Sequence, residues 1–66
     1  MDIPTIIRLC GGPDTIAEAT ELTAYAVKKW PGNGIPEAHW SKLRSILPHL
    51  TVEDLHAANE ALRTAA

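Results

Sequence analysis

Apolar residues recur along this chain at helical spacing, and proline or glycine interrupts them at short intervals. Ile3, Ile6, Ile7 and Cys10 make one inward stripe. Pro4 suits the first turn of that helix, where a missing N–H costs nothing. Gly11-Gly12-Pro13 stops it, and Pro13 opens a second helix running to about Thr20, with Asp14 favourably placed in its first turn. Thr23 is an N-cap for a third helix, Ala24 to Trp30, which Pro31-Gly32-Asn33-Gly34 ends. Pro36 opens a fourth, with Trp40, Leu43 and Leu47 on its apolar face, Ile46 alongside, and Pro48 closing it.

Thr51, followed by Asp54, approximates a capping box for a fifth helix. Val52, Leu55, Ala58 and Leu62 form its inward stripe, and its end frays toward Ala66. No segment alternates apolar and polar residues as a half-buried strand does. The pattern predicts an all-α, single domain of five short helices over residues 1–66, with a C-terminal helix at about 51–64. The fifth helix either closes the core or offers Leu55, Ala58 and Leu62 to another chain, and the loop from Pro48 to Thr51 is a second candidate contact.

Size narrows the function. A 66-residue chain has a marginal core and no room for a large cleft beside it, which argues against an elaborate enzyme. One cysteine excludes an internal disulfide and suits a reducing compartment. Cys10 lies in an apolar run and reads as a buried, inert thiol. No apolar run approaches a membrane span and no signal pattern is present, so a soluble, cytoplasmic chain without membrane partners is expected. His39, His49 and His56 fall on different predicted elements, far from Cys10, and do not form a metal pattern. No nucleophile–base pair or phosphate loop is recognisable, so neither catalysis, a cofactor nor a small-molecule substrate is implied.

The net charge is −2, but its distribution is uneven: −3 over residues 1–22, +3 over 23–45 and −2 over 46–66. The positive block covers the third helix. In the segment from about 13 to 32, small Ala17 permits a tight crossing of two helices, with Ile16, Leu22, Val27 and Trp30 filling the space around it. Ala24, Tyr25, Lys28 and Lys29 are left at outward or N-terminal positions of the third helix. A major groove about 12 Å wide admits one helix, whose N-terminal residues reach base edges. Lysine donates to guanine or neutralises a phosphate, tyrosine donates to either, and alanine meets a thymine methyl. Lys28-Lys29 on an ordinary solvated face is the plainer alternative.

Gly11-Gly12-Pro13, Lys29-Trp30, Asn33-Gly34-Ile35-Pro36 and Trp40 together resemble a subset of the small phage and prophage Cro-like helix-turn-helix regulators. The likeness covers roughly residues 3–47. It implies a lambda-repressor/Cro-like fold, a homodimer on a double-stranded DNA operator, and repression of transcription. By the resemblance Ala24, Tyr25 and Lys29 read bases, Lys28 and Asn33 meet phosphate, and Thr23 is a cap that also touches phosphate. The N-terminal amides of the second helix, near Gly12 to Thr15, are placed for another phosphate. The turn position that usually holds glycine is occupied by Glu21, which implies a left-handed non-glycine residue at roughly 1 kcal/mol. The alternative function is a protein-interaction module on the same scaffold, such as an antirepressor or toxin-neutralising partner, favoured by the overall acidity, Asp14 and Glu21.

Overall fold

A computed structural model describes residues 1–64, and the expected fraying toward Ala66 lies outside the described residues. Among the described residues there are six α-helices and no strand: α1 Ile3–Leu9, α2 Pro13–Thr20, α3 Ala24–Lys28, α4 Trp30–Asn33, α5 Trp40–Ile46 and α6 Val52–Thr64. The all-α expectation holds. The count of five does not, because the expected third helix is broken at Lys29. Pro31 has no N–H to continue the ladder, so Lys29 N–H tightens onto Ala26 O at 3.2 Å and a separate turn, α4, begins at Trp30. Pro36 likewise does not open an α-helix. It precedes a single 3-10 turn, Glu37–His39, which runs into α5.

Local chemistry explains most of the ends. The Asp2 carboxylate accepts from Thr5 N–H at 2.9 Å and caps α1, a role its charge alone did not announce. Gly11, at φ +103°, ends α1, and Gly12 N–H reaches back to Ile7 O at 2.9 Å. Thr51 and Asp54 form the reciprocal capping box, with both bonds 3.1 Å long.

The core joins Ile3, Ile6, Ile7 and Cys10 of the first stripe to Ile16, Val27, Trp30, Ile35, Leu43, Leu50, Leu55 and Ala58. Cys10 is 2 % exposed, and burial raises the thiol's pKa. Leu55 and Ala58 are therefore spent on this domain's own core, which removes them as a free dimer surface, while Leu62 is half-buried. Val52 departs from the expected inward stripe: as the first residue of α6 it is 43 % exposed, while Leu50 before it and Leu55 after it are buried. Trp30 is buried and His39 stacks on it, ring centroids 6.3 Å apart. Trp40 is only half-buried, and its indole N–H donates to Ile35 O at 3.0 Å.

Candidate nucleic-acid interface

The site begins with how α3 is aimed. Alpha-helices α2 and α3 pack against each other more extensively than any other pair. Their connection is three residues long. Glu21 takes the left-handed conformation, φ 62° and ψ 27°, and Leu22 N–H returns to Ala17 O at 3.0 Å, closing α2. Thr23 is extended and its hydroxyl accepts from Ala26 N–H at 3.1 Å, which starts α3 at once in a new direction. On the inner side Ile16, Ala17, Thr20 and Val27 are buried. The Thr20 hydroxyl donates to Ile16 O at 2.7 Å, so that buried polar group is satisfied within its own helix.

The far end of the segment is held by a different device. Asn59 of α6 grips the backbone of Ile35 with both ends of its side-chain amide: Oδ1 accepts from Ile35 N–H at 2.9 Å and Nδ2 donates to Ile35 O at 3.0 Å. Gly34 precedes this grip at φ +95°, and a Cβ there would lie 3.3 Å from Asn59 Oδ1. Residues 24–33 are thus fixed at both ends, by the Thr23 cap and the Ile35 clamp, with Trp30 buried between them.

On the outer side the structure brings Tyr25, Lys28, Lys29 and Asn33 together. These four line one shallow depression with Gly32. Tyr25, Lys29 and Asn33 also border a second depression, which reaches across to Asn59, Leu62 and Arg63 of α6. All three border both hollows and so form the ridge between them, Tyr25 on α3, Lys29 at the break and Asn33 on α4. Tyr25 is 69 % exposed. Lys29 Nζ lies 4.8 Å from the centroid of the Tyr25 ring. Among the described residues neither Lys28 nor Lys29 enters an ion pair, whereas Arg63 pairs with Glu60 at 3.5 Å. Arg44, part of the positive block, is partly diverted to structure, its Nε donating to Leu50 O at 3.2 Å.

The other expected contacts stand apart from this cluster. Thr23 is exposed but committed to its cap, and Ala24 is half-buried against the core. Thr15 is exposed in the first turns of α2, where its hydroxyl donates to Gly11 O at 3.2 Å. Gly12 caps α2 with no side-chain acceptor, leaving the first-turn amides without a side-chain partner. Gly32 and Arg63 were not picked out by sequence reasoning. Gly32 looked like a terminator between Pro31 and Asn33, and Arg63 joins only through the fold, with no local signal to find it.

Among the described residues no three His, Cys, Asp or Glu side chains gather as a metal site requires, and no helix is long and apolar enough to cross a membrane. Set against protein-family models, curated proteins and solved structures, the chain matches none of them.

Proposed function

We propose that this chain is a sequence-specific binder of double-stranded DNA that regulates transcription, a repressor occupying a palindromic operator as a homodimer. The observation that carries the reading is the ridge of Tyr25, Lys29 and Asn33, flanked by Lys28, which runs from α3, aimed by a three-residue turn, across the break into α4. Two lysines outside any ion pair and a side-chain amide on one exposed face match the needs of a groove lined by phosphates and base edges. Helix α3 is only five residues, about 7.5 Å long, so it fits across a groove about 12 Å wide but reads few base pairs. The domain's longest dimension is 30 Å, short of the roughly 34 Å turn that separates two half-sites, which is why a second copy is part of the proposal. The compartment follows from the partner: such a regulator works in the cytoplasm, beside the DNA.

The second reading is a protein-interaction module. It is favoured by the net charge of −2, with exposed Asp14 in the first turn of α2 and exposed Glu21 in the turn before α3.

Fluorescence anisotropy on labelled duplexes, at about 50 and 200 mM salt with scrambled competitor, separates the two. The DNA reading expects competitor-resistant binding whose log K falls by about 0.9 per neutralised phosphate against log salt. Lys28→Ala weakens binding to all sequences alike and flattens that slope by about one unit, whereas Lys29→Ala changes base preference. No duplex binding at either salt moves the weight to a protein partner.

A further inference from the structure

We propose that Tyr25 acts as the positioning residue for Lys29, and that the two read one base as a single unit. The inference rests on the DNA reading above. The observation is the placement of Lys29 Nζ 4.8 Å from the Tyr25 ring centroid. Lys29 is rooted at the junction where α3 ends and α4 begins, with an αR backbone. Helical side chains lean toward the N-terminus of their helix, so Lys29 is directed back along α3, toward the end whose residues meet base edges. Tyr25 stands one turn earlier, and its ring face holds the ammonium there, out of the many positions a free lysine stem samples.

The ring is free for this work. Tyr25 is 69 % exposed, and among the described residues its hydroxyl holds no hydrogen bond. A flexible four-carbon lysine stem loses much rotamer freedom when it binds, and a stem already held over a ring loses less. The chemical class recognised is a pair of adjacent acceptors on a base edge, as guanine O6 and N7 present.

The test uses a duplex selected by the wild-type chain from a pool of randomised duplexes. Tyr25→Leu lowers affinity for that duplex about two- to fivefold, the size of an exposed cation–π contact. Tyr25→Phe, which keeps the ring face, restores most of what Tyr25→Leu loses. In a Lys29→Ala background Tyr25→Leu has no further effect, because the residue it positions is gone. A readout independent of DNA is the proton spectrum of the free protein. The Lys29 ε-methylene protons are moved upfield by the ring in the wild type and in Tyr25→Phe, and return to ordinary positions in Tyr25→Leu.

If Tyr25→Phe loses as much as Tyr25→Leu, the hydroxyl is itself the contact and the inference is wrong. Independent losses in the double variant, or an absent ring-current shift, overturn it equally. A wild-type chain that selects no duplex, yet shows the shift, overturns the DNA reading and takes the base-reading role with it, leaving only the Tyr25–Lys29 contact.

Discussion

Replacing Asn59 by alanine removes the one side chain that grips Ile35 from both sides. Two hydrogen bonds go, 2.9 and 3.0 Å long and partly buried. A net contribution near 1 kcal/mol each gives about 2 kcal/mol, and the orphaned Ile35 N–H adds up to about 1 more. Ile35 O is less exposed to loss, since Trp40 Nε1 still donates to it. The expected destabilisation is therefore about 2–3 kcal/mol, against a total of roughly 3–10 for a chain of this size. Thermal unfolding followed by circular dichroism should move down by roughly 8–20 °C. Asn59→Asp sharpens the test. Its carboxylate keeps an acceptor for Ile35 N–H but sets a negative oxygen against Ile35 O. That raises its folded pKa, so stability is higher below the ordinary carboxylate value and is lost as pH rises through the raised one. A change under about 0.5 kcal/mol for Asn59→Ala, or no pH reversal for Asn59→Asp, refutes the clamp.

Two further perturbations probe the turn and the first cap. Glu21→Gly relieves the left-handed backbone at φ 62° and should gain up to about 1 kcal/mol in a urea titration, whereas Glu21→Gln keeps the strain and leaves stability unchanged. Both remove a negative charge from the turn before the reading helix, so both should tighten duplex binding at low salt. Asp2 has its pKa lowered, first through its hydrogen bonding with Thr5. Its stabilising effect is therefore present above the unfolded carboxylate value and lost as pH falls through the lower folded one. Asp2→Asn should remove that part of the acid loss in thermal melts taken between about pH 5 and 2.

Capping chemistry was largely legible in the sequence, because it is local. Thr23, Thr51 with Asp54, Gly11 and the left-handed Glu21 each act within a few residues of where they stand. The break at Lys29 was missed although its cause, Pro31, was in view. A proline that ends one helix can begin another turn if the chain is gripped beyond it, and here that grip is Asn59, distant by 24 residues from Ile35. The same gap hid Arg63 from the candidate site. Periodicity puts Val52 on the inward stripe with Leu55 and Ala58, but at the helix start the core position is taken by Leu50, from the loop before α6, and Val52 stays exposed. The lysines and Tyr25 stood out by residue type alone, while the contact between Tyr25 and Lys29 required a backbone to carry it.

The anchors and the outward residues of 24–33 form separate sets. Val27, Trp30, the Thr23 cap and the Ile35 clamp fix the segment, and none of them contributes a cation to the ridge. Tyr25, Lys28, Lys29 and Asn33 supply the ridge, and the polar contact among their side chains is Lys29 over the Tyr25 ring. Exposed side chains away from the core are worth little to folding, usually within about 0.5 kcal/mol on substitution. Alanine at Lys28, Lys29 or Asn33 is therefore expected to leave the thermal midpoint nearly unchanged, so a loss of duplex binding in those variants reads the interface and not the fold.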